Sequence, residues 1–200
     1  MKKLILSLAI VAMAGASHAA FNLANNGDFS AGSSGWGFAG VGASPTFPGA
    51  GGNPGAFATI DQTAGGWGGV LFTDVPGAQS LGSVGLAPGN SYLFSLDMIS
   101  LGSVLPTSGM KIESWNGATF LGDSGDVNFN ITTSWATYTF NYTIAPGANS
   151  LKFVPLMVVD PIGASTGFDN IGVNVAVVPE PTSLALLGLG SVAVLFRRRR

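Results

Sequence analysis

The sequence predicts an all-β protein, an antiparallel β-sandwich with an N-terminal signal helix and a C-terminal transmembrane helix. Glycine supplies 30 and proline 11 of the 200 residues, and charged residues make up only 9%, which is typical of short strands joined by many turns. Uncharged apolar runs lie near both ends of the chain. The chain therefore divides into a signal peptide at 1–19, a sandwich domain at 20–177 and a C-terminal segment at 178–200.

Alternation of apolar and polar residues predicts the strands of the domain. It is clearest at 135–143 and 92–98, and each of these segments is expected to bury one face. The stretch 32–55 is rich in glycine, serine and proline, and we expect long loops there, packed by their own aromatic rings. Further strands are predicted at 57–60, 70–73, 110–114, 127–129, 151–154 and 171–177. Eight or more strands separated by turns favour a sandwich.

The N-terminal segment has the parts of a secretion signal. Lys2 and Lys3 precede an apolar run at 4–14, and Ser17 and Ala19 are small residues at the positions that a signal peptidase reads. Cleavage is predicted after Ala19. We therefore expect export through the inner membrane.

The C-terminal apolar run has the features of a membrane span. Residues 182–196 carry no charge and would form a helix of about 22 Å, which is shorter than the hydrocarbon layer of about 30 Å. Arg197, Arg198, Arg199 and Arg200 follow directly; they would extend to the cytoplasmic headgroups and stop transfer. This topology places the sandwich outside the membrane.

The order of these C-terminal parts resembles the PEP-CTERM sorting signal of Gram-negative bacteria. Pro179, Glu180 and Pro181 precede the apolar run, and the arginine cluster ends the chain. The resemblance implies recognition of these three residues by exosortase, a membrane transpeptidase-like enzyme of organisms that make exopolysaccharide. It also implies transient anchoring in the inner membrane, removal of the tail and a final location at the cell surface or outside the cell. A plain membrane anchor is the alternative interpretation.

Several motifs of the body resemble carbohydrate-binding-module-like jelly rolls with a galactose-binding-type fold. In chain order they are Asn26-Gly27-Asp28-Phe29 with Gly35-Trp36, Leu86-Ala87-Pro88-Gly89 with the strand that follows, Thr133 to Phe140, and Phe168-Asp169-Asn170-Ile171. The resemblance implies a jelly roll whose first and last strands lie close together.

Tryptophans are the candidate sugar-binding residues, because an indole packs well against the apolar face of a sugar ring. Trp67 and Trp115 lie in turn-like, glycine-containing contexts and are the candidates for an exposed contact with exopolysaccharide; packing in the core is the alternative for each. Trp36 and Trp135 occupy positions that pack in the core of the resembled fold.

No cofactor is required by the sequence, although the jelly-roll resemblance implies a structural Ca²⁺ held by Asp28 and Asp169. Carboxylates and backbone carbonyls are the ligands that Ca²⁺ prefers. The alternative is that both residues cap local turns. Asp123 and Asp126 resemble a calcium loop but lack the later ligands, which favours a turn there.

Composition excludes several functions. The body has two lysines against nine carboxylates, a formal charge of −7, whereas nucleic-acid binding needs a basic surface. It has no cysteine, and the only histidine lies in the signal peptide, which excludes nucleophile–histidine catalysis and histidine-ligated zinc. Glu113 is the only glutamate of the body and has no evident partner for glycoside hydrolysis.

We therefore predict a non-enzymatic surface protein without catalytic residues, whose sandwich contacts exopolysaccharide. A structural or adhesive matrix protein with protein partners and no sugar site is the alternative. An extracellular carbohydrate-active enzyme is a third, less favoured one.

Overall fold

A computed structural model describes residues 20–73, 79–158 and 161–175. They belong to one compact unit, Ala20–Val175. The predicted signal peptide and the C-terminal segment, including the sorting residues and the arginine cluster, lie outside the described residues. In the part of the chain that the structure describes, no helix is long and apolar enough to cross a membrane.

The described residues of this unit form β-strands and one turn of 3₁₀ helix at Leu81–Val84. The strands are β1 (Ala20–Leu23), β2 (Trp36–Val41), β3 (Ala43–Thr46), β4 (Ala58–Gln62), β5 (Gly68–Thr73), β6 (Gln79–Ser80), β7 (Ser91–Ser100), β8 (Thr107–Asn116), β9 (Thr119–Asp123), β10 (Val127–Asn130), β11 (Ala136–Thr143), β12 (Ser150–Val158) and β13 (Ser165–Val175).

The strands form two antiparallel sheets, which confirms the predicted sandwich. The first sheet has the order β11-β7-β13-β4-β3, with β1 also paired to β13. The second has the order β10-β8-β12-β5-β2, with β9 paired to β8 and β6 to β12.

The core lies between the sheets and is built from alternate strand positions. In β7, Phe94, Leu96 and Met98 are fully buried, as the alternation predicted. On the facing sheet Ile112 and Phe153 are fully buried as well. Because side chains alternate along a strand, the residues between these positions point outward. They form the two outer faces of the sandwich, to which a ligand could bind.

One expectation about the loops was wrong. The stretch 32–55 contains β2 and β3 rather than loops alone. Glycine allows this pairing, since a Cβ at Gly37 would lie 2.4 Å from the ring of Phe72 on β5. The glycines that weakened the strand pattern in the sequence therefore make room for aromatic rings on the neighbouring strand.

The last strand, β13, is central to the first sheet. It pairs with β7 along one edge and with β4 and β1 along the other. The register with β7 shifts between Asp169 and Gly172, where Asn170 adopts a left-handed conformation with φ of 46°. Ala20 pairs with Val175, so the two ends of the compact unit lie side by side.

Candidate functional site

The outer face of the second sheet carries a group of aromatic and charged side chains, which we call the aromatic strip. Its position follows from strand alternation, because the residues between its members are buried in the core. A depression of about 150 Å³ lies within it. The strip consists of Val70 and Phe72 on β5, Lys111, Glu113 and Trp115 on β8, Phe120 on β9, and Lys152 and Val154 on β12.

Lys152 joins the rings of the strip. Its Nζ lies 5.1 Å from the ring centroid of Phe72 and 5.0 Å from that of Trp115, which is within the range of cation–π attraction. Phe120 meets Trp115 edge-on with 5.5 Å between ring centroids. A ligand would therefore contact an assembled surface rather than an isolated indole.

Glu113 fixes the orientation of the indole. Trp115 Nε1 donates to Glu113 Oε2 at 3.1 Å, while Glu113 Oε1 lies 3.1 Å from Lys111 Nζ. Asp123 pairs with Glu113 across the β8–β9 ladder, but its Oδ1 accepts the backbone N–H of Gly125 at 2.9 Å. Both carboxylates thus already have protein partners, and Asp123 caps a turn, as the sequence favoured.

The two predicted sugar-binding tryptophans are not brought together. Trp115 pairs with Ser150, whereas Gly68, the neighbour of Trp67, pairs with Val158 at the other end of the same strand. Eight residues of strand correspond to about 26 Å. Trp67 is 40% exposed and Trp115 is half-buried, so each can contact a ligand, but one sugar ring cannot contact both.

The other two tryptophans support the fold. Trp36 is buried and packs on Phe29 with ring centroids 5.1 Å apart, in agreement with the core prediction. Trp135 is half-buried; it packs edge-on against Phe57 and donates from Nε1 to the carbonyl of Gly51 at 3.0 Å. It holds the loop that carries Asn53 against the first sheet.

A polar groove of about 390 Å³ lies on the outer face of the first sheet. Asp97 is central to it, and its carboxylate accepts hydrogen bonds from Thr137 Oγ1 at 2.6 Å, Asn170 Nδ2 at 2.9 Å and Asn53 Nδ2 at 3.1 Å. The groove is lined by Ser95, Asp97, Thr137, Thr139, Asn170 and Asn174.

Asp169 lies directly beside Asp97 in the β13–β7 pair and is fully buried. It accepts the backbone N–H groups of Asn53 at 2.6 Å and Asn170 at 2.7 Å. Burial, together with the charges of Asp97 and Asp28, raises the pKa of Asp169 to about 6 against the lowering effect of the two N–H donors. Two neighbouring carboxyl groups thus lie on this side of the sandwich.

The structure assembles only part of the predicted Ca²⁺ site at Asp28 and Asp169. Asp28 follows β1, which pairs with β13 as expected, but its Oδ1 accepts the N–H and hydroxyl of Ser30 at 3.2 and 2.9 Å. Among residues 20–73, 79–158 and 161–175, no three histidine, cysteine or acidic side chains group as metal ligands would. A Ca²⁺ at Asp28 and Asp169 would need carbonyl oxygens for its remaining ligands, and it stays a prediction.

Several residues of these surfaces were not identified from the sequence. Lys152 could have been found, because it lies between the apolar residues Leu151 and Phe153 of a predicted strand, and Phe72 lies in the strand predicted at 70–73. Asn53 could not, since it lies 116 residues from its partner Asp169, in a glycine-rich segment without a pattern.

Comparison with known proteins identifies the C-terminal segment. Residues 177–200 match the PEP-CTERM protein-sorting motif. The chain carries this sorting motif at its C-terminal end. No curated protein matches the chain in sequence.

Solved structures similar to the sandwich include carbohydrate-binding modules. The CBM22-1–CBM22-2 tandem domain of Paenibacillus barcinonensis Xyn10C aligns with a TM-score of 0.55 and 17% identity, covering 83% of this chain and 48% of that one. The C-terminal family 22 carbohydrate-binding module of Clostridium thermocellum Xyn10B aligns with a TM-score of 0.51 and 15% identity, covering 81% and 97%. These similarities support the jelly-roll fold.

An enzyme domain also shares the fold. The enzymatically active domain of bacteriophage CBA120 tailspike protein 4 aligns with a TM-score of 0.59 and 13% identity over 76% of this chain. The present chain spans only 21% of that tailspike chain. At such identities the comparison describes architecture, and function has to be argued from the side chains.

Proposed function

We propose that exosortase sorts this protein to the cell surface or extracellular matrix, where its sandwich binds exopolysaccharide through the aromatic strip. The observation that carries the binding proposal is the assembly of Phe72, Lys152 and Trp115 on one outer sheet face. The sorting motif and the jelly-roll fold support export and a carbohydrate ligand.

The strip has the chemistry that polysaccharide recognition requires. Aromatic rings supply apolar area for the C–H faces of sugars, while Lys152 and Glu113 supply a donor and an acceptor for hydroxyl groups. The side chains are held in place by mutual contacts, so little conformational freedom would be lost on binding.

Binding is favoured over hydrolysis at this face. A two-carboxylate glycosidase needs one group to give a proton and another to act as base or nucleophile. Glu113 instead bonds to Lys111 and Trp115, and Asp123 caps its own turn. The sandwich is therefore proposed to be a binding module without catalysis.

The test is retention of the full chain on the producing organism's own exopolysaccharide, measured by affinity electrophoresis. Trp115→Ala removes the ring that contacts both Lys152 and Phe120. It should weaken the free energy of binding, as measured by retention, by about 1–3 kcal/mol. Trp67→Ala tests whether the distant indole adds a second contact. Ser44→Ala, an exposed change on β3 of the opposite sheet, is the control and should leave retention unchanged. Absence of retention of the unaltered chain on every polysaccharide fraction would favour the structural alternative.

A further inference from the structure

The polar groove of the first sheet contains two adjacent carboxylates without a positive partner. Asp97 is 6% exposed and Asp169 is fully buried, and the donors to both are neutral amide, hydroxyl and backbone groups. Within the described residues, the only ion pair joins Lys111 and Glu113 on the other sheet. Because both lysines of the body lie on the second sheet, the groove keeps an uncompensated negative charge.

A hydroxyl that faces the groove is also free. Ser95 is 3% exposed and lines the groove next to Asp97, and in the described part of the chain its hydroxyl makes no hydrogen bond. Thr139 and Asn174 add two more side chains that line the groove and make no side-chain hydrogen bond with the described residues. The groove thus offers free hydroxyl and amide groups beside a carboxylate.

We propose that this groove binds an amino sugar, with its ammonium group beside Asp97 and its hydroxyl groups at Ser95, Thr139 and Asn174. The volume of about 390 Å³ lies in the range of small-molecule sites. A charged acceptor and several neutral hydrogen-bonding groups match a polyhydroxylated amine, and the missing positive partner is supplied by the ligand. This site lies on the face opposite the aromatic strip and does not depend on it.

A metal ion fits the groove less well. Hard cations bind several oxygens at 2.0–2.6 Å, but the Asp97 carboxylate already accepts three hydrogen bonds. The groove is also much larger than one ion. The free groups at Ser95, Thr139 and Asn174 would contribute nothing to an ion held at Asp97 alone.

The experiment compares two oligosaccharides that differ only at the nitrogen, an oligomer of β-1,4-linked glucosamine with ammonium groups and its fully N-acetylated form with neutral acetamide groups. Binding to the full chain is measured by calorimetry at neutral pH. The glucosamine oligomer should bind about tenfold more tightly, since hydrogen bonds to charged groups are the stronger ones. Raising the salt concentration should weaken its binding and leave that of the acetylated form unchanged.

Two variants at Thr139 give a test that does not disturb the buried carboxylates. Thr139→Lys places an ammonium group at the rim, where it can pair with Asp97, and should abolish binding of the glucosamine oligomer. In Thr139→Gln the new side chain is similar in length to lysine but neutral, so this variant should retain most of the binding of the glucosamine oligomer. Asp97→Asn should lower affinity about tenfold, with its melting temperature as a check on folding, and Trp115→Ala should have no effect here.

Three results would overturn the proposal. These are equal affinity for the two oligomers, no binding of either, or unchanged glucosamine binding in Thr139→Lys. Binding of Ca²⁺ that depends on Asp97, without binding of the amine, would identify a metal site instead. Retention on exopolysaccharide that depends on Trp115 would stand in each of these cases, so the two proposals fail separately.

Discussion

Asp169 combines complete burial with a charge that the surrounding residues do not neutralise. Its two backbone donors hold the carboxylate in place, but burial and the nearby Asp97 and Asp28 favour its protonated form. A buried carboxyl group of this kind costs stability when it ionises. The residue therefore links the stability of the sandwich to pH.

The direction of this pH dependence follows from the pKa values. The pKa of Asp169 is about 6 in the folded chain against an ordinary value of 3.8, so the folded state binds the proton more tightly and protonation stabilises it. The contribution of Asp169 is therefore greatest below about pH 4 and is lost as the pH rises to about 6. Asp169→Asn should remove this slope. The melting temperatures of both proteins, measured between pH 4 and 8, test this prediction. The same dependence on pH in both proteins would contradict it.

Calcium gives a second prediction for the same carboxylate. If Asp28 and Asp169 hold Ca²⁺, the ion would compensate their charge, and millimolar Ca²⁺ should raise the melting temperature at neutral pH because it binds only the folded state. Asp28→Asn should remove the increase, whereas Asp126→Asn, in an exposed turn, should keep it. Identical melting curves in Ca²⁺ and in a chelator would argue against this ion site.

At the scale of the elements, glycine decides which strands can pair closely. A Cβ at Gly109 would lie 1.9 Å from the carbonyl oxygen of Val127, where β10 pairs with β8. At Gly82 a Cβ would meet nothing within 4 Å. Close approach of backbones, rather than turn formation, is therefore the reason for glycine at position 109.

This contrast makes a matched pair of alanine substitutions informative. Gly109→Ala should lower the free energy of unfolding by about 1–3 kcal/mol, the usual effect of overpacking, because β10 must move away from β8. Gly82→Ala, an exposed position, should change it little. Urea denaturation of the two variants measures the difference, and equal stabilities would mean that β10 contributes little to the fold.

The strands that the sequence predicted best are those in which apolar and polar residues alternate along the chain. β7 and β11 show that alternation and appear almost at the expected bounds. β2 was missed because Gly37 and its neighbours carry no pattern, and the cause of its pairing lies on β5. β3, which pairs with β4, lies in the same stretch and was missed with it. The polar groove was missed for a similar reason, since Asn53 and Asp169 meet only through the fold.

At the scale of the whole molecule, the sorting tail separates the two interpretations of export. A simple anchor needs only the apolar run and arginines, whereas a sorting signal needs the side chains of Pro179, Glu180 and Pro181. Replacing these three by alanine should leave uncleaved protein in the inner membrane, while the unaltered protein loses its tail and reaches the surface. Cell fractionation with mass spectrometry of the C-terminus measures this outcome.

A control distinguishes recognition from topology. Changing Arg197, Arg198, Arg199 and Arg200 to serine should weaken stop-transfer and orientation instead of recognition. If the Pro-Glu-Pro variant and the unaltered protein are processed and localised alike, exosortase does not read those residues. The tail would then be a plain anchor, and the inference to exopolysaccharide-linked export would fall with the sorting signal.

The central position of β13 gives the domain a mechanical property. The tail leaves directly after this strand, so a pull on the C-terminal end is transmitted along the axis of a strand that is hydrogen-bonded on both edges. Ladder hydrogen bonds run across the strand direction, and such a force loads them together in shear. A pull on β1, which pairs only with β13 among the described strands, would instead strip that strand away first. A domain held from its C-terminal side should therefore resist a pulling force better than one held through β1.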